Sequence, residues 1–403
     1  MTFPKAFVLI LFLSAGTLLS AQTSGETGFS EETGFPQETI LQSYERLFIR
    51  SSLAAKVNVL QDAATDDQAA EFYGPLCRRA LRFVIDNAPL FRDDPDMINI
   101  TVTAVKGVGE NAYSPAADTL WQVFLQFSDN VIRYEILQTL LVLDSPGLTE
   151  NINRFLAEQN ALYGSGVSPD PQMLRSLFAI LGKLGNDESY PVLFTSFLMY
   201  PGELGDGAVR ALYALKGDLS AFLFRVILNN PPGEKLEALR LALGRENLSP
   251  GEKGEIGETV MEAGLALQGG RSQARELCRA GAALIRETRW IRALPLALKY
   301  HGQTLAAFRA DPSAAEDYLD AVGCLASLGS AESARVLALQ LGLYNSKAGA
   351  LNRDEETIVL ALVEGLGTLG YRASYDVLDH ALRLPYPEQV KTAVRAALNG
   401  LTW

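Results

Sequence analysis

A repeated sequence pattern is clearest in the stretch Leu177-Phe-Ala-Ile-Leu-Gly-Lys-Leu-Gly-Asn-Asp-Glu-Ser-Tyr-Pro-Val-Leu-Phe-Thr-Ser-Phe-Leu198. Counted from Leu181, the pattern is Leu-x-x-Leu-Gly, then a serine, then a Val-Leu pair. The same positions recur twice more, as Leu325, Leu328, Gly329, Ser333, Val336 and Leu337, and as Leu366, Leu369, Gly370, Ser374, Val377 and Leu378. Three matched copies indicate an internal structural repeat.

Each position of the pattern has a physical role in a helix–turn–helix unit. Leucines at helical spacing form an apolar stripe, so Leu184, Leu328 and Leu369 are predicted to face the core. The glycine that follows is predicted to end the helix in the left-handed conformation. Ser189 is predicted to cap the second helix, and Pro191 fits its first turn.

The glycines at 182 and 185 also invite comparison with a phosphate-binding loop. Such a loop follows a strand and places Ser or Thr directly after its lysine, whereas Leu184 follows Lys183 here. The other copies replace Lys183 by Ser327 and Thr368. The glycines therefore indicate a helix end, and Lys183 is predicted to be an ordinary surface residue.

These repeats resemble the HEAT-repeat family, including its short bacterial HEAT-like variants, through the Leu-x-x-Leu-Gly turns, the Val-Leu pairs and the alanine-rich last helix Val390–Leu398. The resemblance implies an all-α fold, an α-solenoid of stacked antiparallel helix pairs over residues 66–403. Tetratricopeptide repeats, the main alternative, have a tighter period and a Trp/Gly/Tyr pattern that is not seen. Weaker copies of the pattern begin at Val105, Leu140 and Leu212. Between residues 212 and 325 the repeat boundaries cannot be assigned clearly. Insertions between helices are predicted at 159–171, 245–258 and 344–355.

The first 65 residues divide into three predicted segments. Lys5, the apolar run Ala6–Leu13 and the small residues up to Ala21 are typical of a signal peptide over 1–21, with an uncleaved anchor as the alternative. The chain is therefore expected to be an exported bacterial type, periplasmic or secreted. Residues 22–37 contain Glu-Thr-Gly-Phe twice and read as a flexible linker. Residues 38–65 are predicted to form N-terminal capping helices.

Composition excludes several classes of partner. The chain has 403 residues, of which 48% are hydrophobic, and a formal net charge of -12. This charge repels nucleic acid and anionic lipid, so no nucleic-acid partner and no membrane insertion beyond the signal segment are predicted. Cys77, Cys278 and Cys324 are too few for a disulfide framework and are expected to be buried apolar side chains, with a Cys278–Cys324 bridge as the alternative.

The sequence offers no recognisable catalytic, cofactor or metal site. His301 and His380 lie in different repeats and lack partners at ligand spacing. The acidic stretch Asp93–Asp96 lacks the spaced ligands of a calcium loop and is predicted to be a turn followed by a helix cap. No catalytic residue, no cofactor and no metal are therefore predicted, and the protein is expected not to be an enzyme.

One basic group is the candidate partner-binding site. Arg286, Arg289 and Arg292 recur at helical spacing around Trp290, which is typical of a binding hot spot. A solvated helix face with a core tryptophan is the alternative. The HEAT resemblance implies a partner surface made by serial second helices. We predict a non-enzymatic exported scaffold or adaptor that binds a protein partner, with an acidic segment of that partner docking at these residues. A lyase- or glycosylase-type HEAT-like enzyme is the alternative.

Overall fold

The computed structural model describes residues 39–267 and 271–402. These residues form 20 α-helices: α1 (Ile40–Arg50), α2 (Leu53–Thr65), α3 (Tyr73–Phe91), α4 (Pro95–Glu110), α5 (Ala117–Gln126), α6 (Asn130–Val142), α7 (Thr149–Gly164), α8 (Pro171–Leu184), α9 (Tyr190–Met199), α10 (Glu203–Ala214), α11 (Leu219–Asn229), α12 (Pro232–Leu243), α13 (Pro250–Ala266), α14 (Arg271–Thr288), α15 (Leu294–Ala310), α16 (Ala315–Ser327), α17 (Ala331–Asn345), α18 (Arg353–Leu369), α19 (Tyr375–Leu382) and α20 (Glu388–Asn399).

Short 3-10 helices connect many of these elements, at Ala70–Phe72, Ser114–Ala116, Pro146–Leu148, Asp187–Ser189, Ile291–Ala293, Pro312–Ala314, Ala348–Ala350 and Arg372–Ser374. Within the described ranges there is no β-strand, and Tyr371 and Thr402 form an isolated bridge. No helix in this part of the chain combines the length and apolar character needed to cross a bilayer. The predicted signal segment 1–21 and linker 22–37 lie outside the described residues.

The helices stack in two layers. Even-numbered helices contact one another in sequence from α2 to α10 and from α12 to α20; we call this the even layer. Odd-numbered helices pack on its other side in the groups α1–α3–α5, α7–α9, α11–α13–α15 and α17–α19; we call this the odd layer. Each helix also packs against a sequence neighbour in the opposite layer. The chain is therefore an all-α solenoid of stacked antiparallel helix pairs, as predicted.

The core between the layers is built from the leucines of the repeat pattern. Leu181, Leu325 and Leu366 have no exposed surface, and Leu184 and Leu328 are also buried. Full burial of one such side chain contributes about 1.5–3 kcal/mol to the free energy of folding. The predicted core role is confirmed for both Leu184 and Leu328.

Leu369 is half-buried, because the last leucine of its helix lies at the edge of the core.

The glycines after the three leucines differ in backbone conformation. Gly329 and Gly370 adopt φ values of 62° and 68°, the left-handed conformation predicted for them. Gly185 has φ -68° and ψ 164°, so the left-handed prediction is wrong there. A Cβ on Gly185 would lie 2.3 Å from Leu215 Cδ2, so this position requires glycine for space.

The prediction that Ser189 caps the second helix is wrong. Ser189 and the matching Ser333 and Ser374 are fully buried, and their hydroxyls have no hydrogen-bond partner among the described residues. The chain enters α9 through a 3-10 turn that places Ser189 at φ -84° and ψ -17°, which is helical backbone, whereas a capping residue has extended backbone. Asn186 accepts from the Glu188 amide at the start of that turn instead. These serines are small packing residues.

Lys183 is an exposed side chain with a structural contact. Its Nζ donates to the carbonyl oxygens of Leu141 at 2.7 Å and Val142 at 3.3 Å, which end α6 in the preceding repeat. The last carbonyls of a helix lack intrahelical donors, so a cation there is favourable. Gly182 to Gly185 is confirmed as a helix end, but Lys183 connects two repeats and is not an ordinary surface residue.

Helices α13 and α14 pack backbone against backbone. A Cβ on Gly281 would lie 2.9 Å from the carbonyl oxygen of Gly257, and a Cβ on Gly264 would lie 3.0 Å from the Cys278 nitrogen. Glycine inside a helix costs about 0.5–1 kcal/mol relative to alanine. Close contact between the two helices offsets that cost. The predicted insertion at 245–258 is thus largely the start of α13.

Candidate functional site

The four predicted site residues do not lie on one helix. Helix α14 ends at Thr288, and Arg289 adopts φ 52°. Trp290 follows this reversal, and Arg292 lies in the 3-10 helix Ile291–Ala293. The helical spacing of the three arginines therefore does not place them on a single face. Arg286 also belongs to the even layer, which contains the first helices of the clear repeats, so its predicted placement among second helices is wrong.

Trp290 and Arg292 pack against α13. The Trp290 indole Nε1–H donates to Glu258 Oε2 at 2.7 Å, and a Cβ on Gly254 would lie 2.5 Å from the indole ring. The Arg292 guanidinium lies 5.4 Å from the Trp290 ring centre and forms ion pairs with Glu258 at 3.5 Å and Glu255 at 3.8 Å. This half of the predicted group is closer to the alternative, but Trp290 is half-buried and not in the core, and it lies beyond the end of α14.

Arg286 and Arg289 instead line a cleft of about 580 Å³. The cleft lies on the even layer between α14, α16 and α18, and we call it the α14–α16–α18 cleft. Both arginines are exposed, and neither forms an ion pair with a described residue. Arg286 Nη1 would be 3.4 Å from a Cβ on Gly323 of α16, so its guanidinium extends over that helix.

Two arginines about two and three turns before Arg286 on α14 show the contrast. Arg279 Nε lies 2.6 Å from Asp317 Oδ1, its Nη2 lies 2.6 Å from Glu316 Oε2, and Arg275 Nε lies 2.8 Å from Asp317 Oδ2. The hydrogen bond that Arg279 donates to Glu316 is the main cause of the raised pKa of Arg279. The arginines at that end of α14 are therefore engaged in ion pairs, whereas Arg286 forms none with a described residue and acts on the Asp320 carboxylate of α16 only through a longer-range charge interaction.

The rest of the α14–α16–α18 cleft is small and weakly polar. Gly323 and Ala326 of α16 and Gly365 of α18 line it, and Glu364 and Thr368 lie on α18. Gly323 lies under the Arg286 guanidinium, and a Cβ on Gly365 would lie 3.2 Å from Ala326 Cβ, so these glycines allow close packing within the protein. Glu364 forms no ion pair with a described residue, so the cleft contains two arginines and one carboxylate.

These small residues were missed by the sequence analysis. Gly323 and Ala326 are three apart, and Ala361 and Gly365 are four apart, so each pair shares a helix face. Small residues at helical spacing outside the apolar stripe were the sequence signal that could have indicated this cleft.

A second groove on the even layer has a similar lining but different charge. It lies between α8 and α10, measures about 410 Å³ and is lined by Gly182, Gly207, Arg175, Lys183 and Arg210, among others. Arg175 lies 3.1 Å from Glu203, and Lys183 is bonded to carbonyl oxygens. Two of its three cations are thus already engaged.

The residues considered for chemistry lie apart. His301 is buried, its Nε2 lies 3.3 Å from the Tyr318 hydroxyl, and desolvation lowers its pKa to about 4. His380 is exposed on α19. In the described ranges, no group of three or more His, Cys, Asp or Glu side chains is arranged to hold a metal ion. Whether the protein has enzymatic activity stays a prediction.

The remaining sequence predictions for these polar groups can be compared with the structure. Cys77, Cys278 and Cys324 are buried free thiols, as expected, and burial raises the pKa of each to about 12. Asp94 caps α4 by accepting from the Asp96 amide at 2.8 Å, which confirms the turn and cap predicted for the acidic stretch.

Comparisons with known proteins give little beyond the fold. No protein-family model matches the chain, and no curated protein matches it. Among solved structures, it is similar to a chain in the crystal complex of SYS-1/POP-1 at 2.5 Å resolution, with 11% identity and a TM-score of 0.30. The match covers 84% of this chain and 64% of that chain. At this TM-score the likeness supports no statement about partners or activity.

Proposed function

We propose that this chain is a HEAT-like scaffold that binds an acidic segment of a partner protein in the α14–α16–α18 cleft. The observation that carries the proposal is the pair Arg286 and Arg289. These two exposed guanidinium groups form no ion pair with a described residue, and they line the cleft together with Gly323 and Gly365. The proposed site keeps two of the four predicted residues. Trp290 and Arg292 are assigned to packing against α13.

The chemistry of the cleft favours an extended, carboxylate-bearing segment. A guanidinium group can grip a carboxylate through two parallel hydrogen bonds, which fixes orientation as well as charge. Glu364 on the far wall would repel a uniformly acidic chain. A segment with one or two carboxylates next to a neutral or basic residue fits this arrangement best.

We also propose that the scaffold acts without catalysis and outside the cytoplasm. The first part rests on the absence of a recognised catalytic pattern in the sequence, and the second on the signal-like residues Lys5 to Ala21. Assay of the purified protein against polyuronate and glycoside substrates tests the lyase- or glycosylase-type alternative. Mass spectrometry of the native N-terminus tests export, with a chain starting near Gln22 expected.

The binding proposal is tested with a defined acidic peptide. We expect a fluorescently labelled ten-residue peptide with two central glutamates to bind the wild-type protein in a fluorescence anisotropy titration. The double substitution Arg286→Glu with Arg289→Glu should weaken binding at least about tenfold, or about 1.4 kcal/mol. Binding should also weaken with salt, because exposed charges are screened within about 8 Å at physiological ionic strength.

A matched control separates the cleft from overall charge. Arg335 and Arg353 are also exposed and lie outside the cleft. Arg335→Glu with Arg353→Glu changes the net charge by the same amount and should leave peptide affinity within about twofold, as expected for charges that do not contact the ligand. Equal losses of peptide affinity in the two double variants would show that only overall charge matters. No loss of affinity in either variant would show that the peptide does not bind in the cleft.

A further inference from the structure

A separate cavity of about 200 Å³ lies where α6, α7 and the loop before α8 meet. It shares no residue with the α14–α16–α18 cleft. Its polar lining includes Arg133 and Tyr134 of α6, Gln159 of α7 and Asp170, and its apolar lining includes Leu162 and Met173.

Arg133 presents a fixed and uncompensated positive charge to this cavity. Its Nε–H donates to the Phe127 carbonyl oxygen at 2.7 Å, and its guanidinium lies 5.3 Å from the Phe124 ring centre. These two contacts fix the plane of the group. Among the described residues, no carboxylate pairs with Arg133, and its two terminal nitrogens have no hydrogen-bond acceptor. Burial lowers its pKa, so the charge is held in a partly desolvated place.

Gln159 is the second polar group in the same cavity. Its side chain is largely buried, with 9% relative exposure. Its carboxamide lines the cavity and is therefore open to a ligand there. A ligand carboxylate beside Arg133 can accept a hydrogen bond from Gln159.

The opposite wall limits the charge and shape of the ligand. Asp170 caps α8 by accepting from the amides of Gln172 at 2.8 Å and Met173 at 3.3 Å, and it also accepts from the Tyr134 hydroxyl. These donors hold it as a carboxylate and lower its pKa, so a doubly charged anion would be repelled. Leu162 and Met173 offer contacts for a short hydrocarbon part.

We propose that this cavity binds a small organic monocarboxylate, with its carboxylate on Arg133 and Gln159 and its hydrocarbon part against Leu162 and Met173. One water molecule takes about 30 Å³ of liquid volume, so the cavity holds a ligand of about six non-hydrogen atoms. Butyrate has this size. A planar carboxylate also matches the guanidinium fork better than a tetrahedral anion does.

Isothermal titration calorimetry with butyrate tests the proposal. Wild-type protein should bind one butyrate saturably. Butyramide, which has the same shape but no charge, should bind at least about tenfold more weakly. Inorganic phosphate should also bind at least about tenfold more weakly, because it is tetrahedral and not a planar, singly charged group. Arg133→Gln and, separately, Gln159→Leu should each weaken butyrate binding at least about tenfold, the scale expected when a charged or buried hydrogen bond is lost.

Arg154→Gln is the matched control, since Arg154 is an exposed arginine of α7 that bonds to Asn151. It should leave butyrate affinity within about twofold, as for a surface site away from the ligand. Circular dichroism melting shows whether each variant is folded, and Gln159→Leu keeps the test decisive if Arg133→Gln unfolds. The proposal is overturned if the wild-type protein does not bind butyrate, if butyramide binds equally well, or if the Gln159→Leu and Arg154→Gln proteins behave alike.

Discussion

The repeats at α16–α19 and the helix pair α13–α14 achieve close packing by opposite means. In the repeats, buried leucines such as Leu325 and Leu366 fill the space between the helices. In the pair, glycines remove side chains, and a Cβ on Gly281 would lie 2.9 Å from the Met261 nitrogen. The periodicity of apolar residues in a sequence therefore predicts only helix packing that is mediated by side chains. Contact between backbones leaves no such pattern in the sequence.

The largest effect is expected from a charge in the leucine core. Leu328→Asp places a carboxylate in the buried position at the end of α16 and should lower the free energy of unfolding by more than about 3 kcal/mol. Urea denaturation followed by circular dichroism measures this change. Leu339→Asp is the control, because Leu339 is 71% exposed and should change stability by less than about 0.5 kcal/mol. Similar losses in both proteins would contradict the assigned core.

Lowering the pH should destabilise the side-chain core through His301. Its folded pKa of about 4 lies below the ordinary value of 6.5, because burial disfavours the charged imidazole. As pH falls from 6.5 to 4, the unfolded chain binds a proton that the folded chain does not bind, so stability is lost. The loss should reach about 3 kcal/mol at the acid end of this window and be absent above pH 6.5.

His301→Gln isolates this term from the titration of carboxylates. The difference in unfolding free energy between wild type and variant should change by most of that amount between pH 7 and pH 4.5. A constant difference over this range would mean that His301 titrates normally in the folded protein.

Adding a methyl group should have opposite signs in the two kinds of helix. Gly281→Ala forces atoms of α13 and α14 apart and should destabilise the protein by about 1–3 kcal/mol. Gly302 lies in α15, and a Cβ added there would have no other atom within 4 Å. Gly302→Ala should therefore stabilise the protein by up to about 1 kcal/mol through helix propensity. Urea midpoints of the two variants measure both effects, and equal shifts would contradict backbone contact at Gly281.

The smallest expected effect concerns the buried serines of the repeats. Ser374 has no exposed surface and its hydroxyl has no partner, so Ser374→Ala should be neutral or slightly stabilising. A capping serine would instead cost about 1 kcal/mol on the same substitution. Ser330 provides that reference within the protein, since it caps α17 through the Glu332 amide. A loss for Ser374→Ala as large as that for Ser330→Ala would restore the capping role.

The sequence predicted well what depends on side-chain periodicity. The Leu-x-x-Leu-Gly copies predicted the turns that end α8, α16 and α18 and the layered all-α fold. The copies could not show how the chain enters the second helix, where a 3-10 turn turns Ser189 inward. Helix α13 was hidden because its glycines resemble a loop until their contact with α14 is known.

The candidate site was predicted only in part for a similar reason. Spacing grouped Arg286, Arg289 and Arg292 on one helix, but the positive φ of Arg289 divides them between a cleft and a packed face. Arg133 and Gln159 lie 26 positions apart in the chain and come together only because α6 and α7 pack beside the loop before α8. No local motif links such residues.

We propose above that an acidic segment binds on the even layer in the α14–α16–α18 cleft. Site-specific photo-crosslinking is the most direct test of this binding. Thr368 and Thr357 are exposed threonines of the same helix, α18, and Thr368 lines the cleft whereas Thr357 does not. A benzoylphenylalanine at each position is irradiated with the labelled acidic peptide. We expect crosslinking from position 368 that is lost with Arg286→Glu and Arg289→Glu, and little crosslinking from position 357. Equal crosslinking from both positions, or none from 368 under conditions where the peptide binds, would contradict binding in this cleft.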